Sequence, residues 1–85
     1  MRISLIEEQA ITARMAMIVG AQEFDRLFLG VQFGEIEGDI LYAYCPEPES
    51  AEEMEEKYAL HISIVASHIL KRKIGIVMVL PRVVH

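Results

Sequence analysis

Apolar residues recur at helical intervals over the first twenty positions of the chain. The recurring set is Leu5, Ile6, Ala10, Ile11, Ala13, Met17 and Ile18. Ser4 and Glu7 have the spacing of a capping box, in which each side chain binds a backbone N–H at the start of a helix. Gly20 can adopt the conformation that often follows the last helical residue. The pattern predicts a first helix from about Leu5 to Val19.

A second, shorter helix is predicted over residues 21–29. Phe24, Leu27 and Phe28 would share one side of it, and Gly30 would end it. After Gly30 the spacing of apolar residues changes from the helical period to the alternation of a strand. Two helices therefore precede the first strand.

Two strands joined by a tight turn are predicted next. Residues 31–36 alternate loosely, and residues 40–45 (ILYAYC) form the β-branched and aromatic run that is typical of a strand. Glu37-Gly38-Asp39 separates them, and Gly38 can adopt the positive φ of a short hairpin turn. Pro46 ends the second strand because proline lacks the N–H that a β-ladder uses.

The longest helical pattern lies in the second half of the chain. Its apolar stripe advances in steps of three and four residues: Ala51, Met54, Tyr58, Ile62, Val65 and Ile69. Ser50 and Glu53 repeat the capping-box spacing and predict where this helix begins. Residues 74–80 form a final strand that Pro81 ends. The order α-α-β-β-α-β predicts an α+β fold with a small three-stranded sheet packed against helices.

Composition narrows the class of protein. Eighty-five residues, 53% of them hydrophobic and 25% charged, are typical of one folded domain over residues 1–85. No apolar run approaches the ~20 residues of a membrane-spanning helix, and acidic residues occupy the N-terminal region where a signal peptide is apolar. A single cysteine, Cys45, is compatible with a reducing compartment, so we expect a cytoplasmic protein without membrane partners. The net charge of −5 does not favour nucleic acid.

No catalytic or cofactor motif is present in the sequence. It has no phosphate-binding loop, dinucleotide fingerprint, zinc-protease motif or nucleophile elbow, so we expect neither an enzyme nor a cofactor. His61 and His68 share a helix face, but a zinc site usually needs four clustered ligands, and no metal is predicted. Cys45 has no base placed near it, which predicts an inert, buried thiol.

Short segments along most of the chain, from Met1 to about Leu80, resemble the N-terminal domain (domain I) of the bacterial replication initiator DnaA. The matching segments are Ser4-Leu5, Glu23-Phe24, Gly38-Asp39-Ile40-Leu41, Pro46 and Glu56-Lys57-Tyr58. Pro46 lies five residues after Leu41 and twelve before Tyr58, as in that family. The resemblance implies a K-homology-like fold and a protein-docking module. It also implies weak self-association and binding to the replicative helicase DnaB or to regulators of initiation.

The resemblance also suggests which residues contact partners. Glu23, with Phe24 beside it, matches an acidic position used for helicase and partner contact. Leu5 and Ile6 lie at the self-association patch, although this chain has isoleucine where some relatives have tryptophan. Glu49 falls where some relatives present an aromatic side chain to the helicase. A carboxylate there cannot replace apolar burial, so this contact would differ.

Two other functions remain open from the sequence alone. A single-stranded nucleic-acid binder of the K-homology type would use Lys71, Arg72 and Lys73 with a stacking aromatic such as Tyr42 or Tyr44. The chain lacks the GxxG loop of such proteins, so direct nucleic-acid binding is not expected. A homo-oligomeric structural subunit would use the first helix or residues 74–80. Nine of the thirteen acidic residues lie between positions 35 and 56, a segment that would steer a basic partner.

Overall fold

The computed structural model describes residues 1–82 and has the predicted order of elements. A short α-helix runs directly into a π-helical segment, and the two together occupy the position of the predicted second helix. The elements are α1 (Leu5–Val19), α2 (Ala21–Glu23), the π-helical segment (Phe24–Phe28), β1 (Gln32–Glu37), β2 (Ile40–Cys45), α3 (Pro48–Leu70) and β3 (Ile76–Pro81). The prediction of an α+β fold in the order α-α-β-β-α-β is confirmed.

The sheet has three strands in the order β1-β2-β3, and the helices pack on one of its faces. β1 pairs with β2 antiparallel through the predicted hairpin, while β2 pairs with β3 parallel. A parallel pair needs a long crossover connection, which α3 supplies. The N-terminal segment closes the outer edge of β1, because the Ile3 N–H donates to the Gly34 carbonyl at 3.1 Å. The outer edge of β3 is therefore the edge that no strand of residues 1–82 covers.

The core lies between this sheet and the three helical elements. Its largest fully buried side chains are Phe28, Ile11, Met15, Leu41, Met54, Ile62 and Cys45. The predicted apolar stripe of α3 is confirmed, since its members are either buried or packed against the core. The apolar set of α1 divides differently: Ile11 is buried together with Met15, whereas most of the remaining members face solvent.

The starts of the two long helices show one prediction confirmed and one wrong. The capping box at Ser4 is present: the Glu7 N–H donates to Ser4 Oγ at 3.1 Å and the Ser4 N–H donates to Glu7 Oε1 at 2.8 Å. Ser50 caps nothing, because α3 begins earlier, at Pro48. Proline is favoured at the first helical position, where its fixed φ fits and no N–H is needed.

The start of β3 also differs from the prediction, which placed it at residue 74. The Ile74 N–H donates to Ser67 Oγ at 3.0 Å, and the Ile74 carbonyl accepts from Ser63 Oγ. Two serine side chains of α3 therefore hydrogen-bond the backbone N–H and carbonyl of Ile74. The strand begins at Ile76, whose N–H donates to the Asp39 carbonyl at 3.2 Å.

None of the helices in residues 1–82 combines the length and the apolar character that crossing a membrane requires.

Candidate protein-interaction surfaces

An apolar stripe faces solvent along α1. Ile6, Ala10, Ala13 and Met17 follow one another at steps of four, three and four residues, which places them on one side of a helix. We call these four residues the outer face of α1. Ile6 is 79% exposed and Met17 is 82% exposed, so the ends of the stripe are fully open to water. Single exposed apolar residues are ordinary on protein surfaces, but a continuous stripe is typical of an interface.

Leu5 and Ile6, the predicted self-association residues, are both exposed. Leu5 lies at one flank of the outer face and is 67% exposed, and Ile18 at the other flank is 47% exposed. Neither Leu5 nor Ile6 belongs to the core, although a broad buried face would also have explained their adjacency in the sequence. The structure therefore brings these residues together with Met17 on one solvent-facing side of α1.

A shallow groove of about 390 Å³ runs beside the outer face of α1. Small side chains of α1, among them Ala13 and Ala16, form one wall, and Phe24 and Val31 lie opposite. Phe24 is half-buried and stacks on Phe28, with ring centroids 5.7 Å apart and an angle of 8° between the planes. Phe24 is thus both a core-supported residue and part of an accessible apolar surface.

Five charged and polar residues form a network between the π-helical segment and α3. We call Glu23, Arg26, Glu53, Lys57 and Tyr58 the ion-pair cluster. Arg26 donates from Nε to Glu23 Oε1 at 2.9 Å and from both terminal nitrogens to Glu53, at 3.0 and 2.6 Å. Lys57 Nζ lies 2.8 Å from Glu53 Oε2, and the Tyr58 hydroxyl donates to Glu23 Oε2 at 2.6 Å.

The ion-pair cluster changes the protonation behaviour of its members. The Arg26 guanidinium, assisted by Lys57, lowers the pKa of Glu53 to about 2. Arg26 and then Tyr58 lower the pKa of Glu23, because both donate hydrogen bonds to its ionised form. The hydrogen bond to Glu23 in turn raises the pKa of Tyr58. Both carboxylates are therefore ionised at neutral pH.

This geometry assigns Glu23 an internal role that its sequence position does not reveal. Both carboxylate oxygens already accept hydrogen bonds from within the chain, and the side chain is 25% exposed. Glu23 therefore fixes the π-helical segment against α3. Arg26 and Glu53 were missed at the sequence level. The spacings of Glu23 with Arg26 and of Glu53 with Lys57 could have predicted those two ion pairs from the sequence. The ion pair between Arg26 and Glu53, which joins the two helical segments, could not have been predicted in this way.

Glu49 lies in the first turn of α3 and is exposed. A small depression of about 190 Å³ lies nearby, bordered by Asp25, Leu29 and Glu47. Leu29 is 67% exposed, so an apolar side chain here stands among carboxylates. The surface around the start of α3 is therefore suited to a partner with basic and apolar residues.

The chain does not present one free cationic face at Lys71, Arg72 and Lys73. Lys71 ends α3 in the left-handed conformation, with φ 55°. Arg72 folds back onto the β1–β2 hairpin and donates to the Gly38 carbonyl at 3.0 Å. Lys73 lies beside the same hairpin, near Asp39. The three side chains are exposed, but one of them holds a turn that carries acidic residues.

Cys45 is fully buried, and desolvation raises the pKa of its thiol. Among residues 1–82, no three histidine, cysteine, aspartate or glutamate side chains come close enough to hold a metal ion.

Comparison with known proteins gives a likeness in structure rather than in sequence. No family model matches the chain, and no curated protein matches it. A chain in the crystal structure of a HobA-DnaA (domain I-II) complex from Helicobacter pylori superposes with a TM-score of 0.73. The two are 18% identical, and the match covers 92% of this chain and 99% of that chain. The likeness establishes that this chain has the fold of that protein.

Proposed function

We propose that the chain is a non-catalytic docking module in the initiation of bacterial DNA replication. It self-associates weakly through the outer face of α1 and binds the replicative helicase or a regulator of initiation near the start of α3. The exposed stripe of α1 is the observation that carries the docking role. The replication context is supported by the resemblance to DnaA domain I and by the fold shared with a chain from a complex that contains DnaA.

The spacing of the outer face is self-complementary. Two copies of α1 packed antiparallel about a two-fold axis would place Ile6 opposite Met17 of the second copy, and Ala10 opposite Ala13. The alanines at the centre let the helix backbones approach closely, while the large side chains cover the two ends.

Charge supports the same antiparallel arrangement. Arg14 and Glu7 lie on the same flank of α1, and the two-fold axis would bring Arg14 of one copy to Glu7 of the other. Within residues 1–82, Arg14 forms no ion pair or side-chain hydrogen bond. One oxygen of Glu7 binds the Ser4 N–H, which leaves the other available.

The interface would be small, so the self-association should be weak. The outer face extends about 16 Å along α1, because Ile6 and Met17 are separated by eleven steps of ~1.5 Å each. Two such faces bury less than the ~1,200–2,000 Å² of a stable complex. Several tethered copies would associate more strongly than isolated domains, because tethering raises the effective concentration.

Sedimentation equilibrium over a wide range of protein concentration tests the self-association. The wild-type chain should form a dimer with weak affinity, and Met17→Glu should abolish it. Leu60→Glu is the matched control, since Leu60 is 70% exposed on α3 and lies outside the outer face. Loss of the dimer in both variants, or in neither, would contradict an interface on α1.

Retention of purified replicative helicase on immobilised chain tests the partner site. Glu49→Lys and Asp25→Lys should each reduce retention, because both carboxylates are exposed. Ile6→Ala should leave retention unchanged, since Ile6 belongs to the other surface. Glu23→Gln should act indirectly by loosening the π-helical segment, and its effect should follow the loss of stability. If wild type retains no helicase and no initiation regulator, the replication role is wrong.

A further inference from the structure

The outer edge of β3 carries backbone groups that point away from the rest of the sheet. The Ile76 N–H donates to the Asp39 carbonyl at 3.2 Å, and the Arg82 N–H donates to the last carbonyl of β2 at 2.7 Å. Both therefore point towards β2, and the direction of the backbone groups alternates from one residue to the next along a strand. The N–H and carbonyl groups of Val77 and Val79 therefore lie on the outer edge, which no other strand of residues 1–82 covers.

Residues 74–80 have the composition of a segment that pairs readily with other strands. The run IGIVMVL has no charged residue and no proline, and it is rich in β-branched and large apolar side chains. Such a composition is typical of segments that associate edge to edge between chains. An uncovered strand with this sequence is a site at which a second copy could add its own strand.

A carboxylate of α3 lies at the middle of this edge. Oε1 of Glu55 accepts the Val79 N–H at 3.1 Å, although the two residues are twenty-four positions apart in the sequence. The Glu55 side chain is exposed, so the hydrogen bond holds a charged group at the outer edge of β3 and not in the core. A donor that another strand would need is therefore already bound within the chain.

The end of β3 and its flanking residues also oppose strand addition. Pro81 is the last residue of β3, points outward like Val77 and Val79, and has no N–H to donate. Lys73 precedes the apolar run and Arg82 follows it, and charges at the two ends of an apolar strand oppose aggregation. Among residues 1–82, Val77 is thus the one outward-pointing residue of β3 whose N–H has no partner.

The geometry of a paired edge shows what the Glu55 hydrogen bond prevents. Two β3 strands pairing antiparallel about a two-fold axis at Met78 would place Val77 of one copy opposite Val79 of the other. Each such pair exchanges two N–H···O=C bonds, and one of the two donors is the Val79 N–H. With Glu55 on that donor, each pair loses one of its bonds. The carboxylates of the two copies would also approach each other, and like charges repel.

We propose that Glu55 blocks the outer edge of β3 against pairing with a second copy by holding the Val79 N–H. A homo-oligomer built on residues 74–80, which the sequence left open, is the state that this hydrogen bond prevents. The role of Glu55 is separate from the docking surfaces of the proposed function, because neither the outer face of α1 nor the start of α3 includes the edge of β3.

Sedimentation velocity of variants that carry Met17→Glu tests this role. Met17→Glu disrupts the outer face of α1, so any remaining assembly forms elsewhere. Adding Glu55→Ala should convert the monomer into dimers and larger species. Glu56→Ala is the matched control, since it removes the same charge from another exposed position of α3, and it should stay monomeric. Glu55→Gln keeps an oxygen that can accept the Val79 N–H, so it should assemble less than Glu55→Ala.

Amide hydrogen exchange followed by NMR tests the hydrogen bond itself. At a dilution where the chains are monomeric, the Val79 N–H should exchange about tenfold faster or more in Glu55→Ala than in the Met17→Glu background. The Ile76 N–H, which is bound to the Asp39 carbonyl, should keep its rate. Unchanged exchange at Ile76 also shows that the sheet of the variant is intact.

A charge at the two-fold axis locates the assembly. Met78 is 36% exposed and would face its own counterpart in the paired edge. Met78→Lys added to Glu55→Ala would place two lysines opposite each other and should restore the monomer. Leu60→Lys, at a position of α3 that is 70% exposed, should leave the assembly unchanged.

Four results would overturn the proposal. The first is a Glu55→Ala chain that stays as monomeric as its background, and the second is equal assembly of Glu55→Ala with Glu56→Ala or with Glu55→Gln. The third is an unchanged exchange rate at Val79, and the fourth is assembly that persists in the presence of Met78→Lys. Failure of the α1 dimer would not affect any of them, because every chain in the series carries Met17→Glu.

Discussion

Phe28→Ala should destabilise the chain more than any change at an exposed position. Phe28 ends the π-helical segment and is 2% exposed. Its ring lies between Phe24 and Tyr58, with both centroid separations at 5.7 Å. Truncating a buried phenylalanine costs about 3–5 kcal/mol, part of which is the ~0.5–1.5 kcal/mol of each aromatic pair. A chain of 85 residues has a free energy of unfolding of about 4–13 kcal/mol.

Urea denaturation followed by far-ultraviolet circular dichroism measures this loss. Phe28→Ala should lower the free energy of unfolding by about 3–5 kcal/mol, and Phe28→Leu, which keeps most of the volume, by about 1–1.5 kcal/mol. Leu29→Ala is the control at the next position, where 67% exposure predicts a change within about 0.5 kcal/mol. A loss below about 1 kcal/mol for Phe28→Ala would refute the argument that this ring joins the π-helical segment to α3.

Three further predictions concern a helix cap, acid stability and a thiol. Ser4→Ala should cost about 1 kcal/mol of stability through loss of the capping box, whereas Ser50→Ala should cost almost nothing, and thermal unfolding compares them. Glu53 has a pKa of about 2, below its ordinary value of 4.5. Its pairing with Arg26 therefore contributes stability that is complete above pH 4.5 and lost as pH falls towards 2. Thermal unfolding at several pH values should show a smaller acid loss in Glu53→Gln, and equal losses would contradict the pairing. Cys45 should resist alkylation in the folded chain and react only after unfolding, which mass spectrometry of iodoacetamide-treated protein would detect; fast labelling of folded protein would show that the thiol is accessible.

Local signals in the sequence were enough to predict the order of helices and strands. The apolar stripe of α3 has the helical period of an element with one buried side, and residues 40–45 form the β-branched and aromatic run that is typical of a strand. The Ser4 cap was also predictable, because both of its partners lie within one turn. The second helix was placed correctly, but its π-helical stretch, in which Phe24 stacks on Phe28 and Phe28 packs against Tyr58 of α3, was not predicted.

The remaining features depend on contacts between distant parts of the chain. Ser50 and Glu53 have the spacing of a cap, yet Glu53 binds Arg26, twenty-seven positions away. The strand β3 starts late because α3 binds Ile74 from seven and eleven residues before it. The buried side of α1 could not be predicted because Ile6 and Met17 are as apolar as Ile11 and Met15. A helix with apolar residues on two sides carries no signal for which one faces the core.

The distribution of charge separates self-association from binding to other proteins. The outer face of α1 is apolar apart from Arg14 and Glu7 at its flank, so self-association should change little with salt. The start of α3 is acidic, and attraction between such exposed charges and a basic partner is screened over about 8–10 Å at physiological salt. Raising sodium chloride from 50 to 500 mM should therefore weaken helicase retention severalfold while the dimer persists. Sedimentation and the helicase-retention assay repeated across this range would show it. A dimer that dissociates in parallel with the partners would mean that charge, and not the apolar stripe, holds the two copies together.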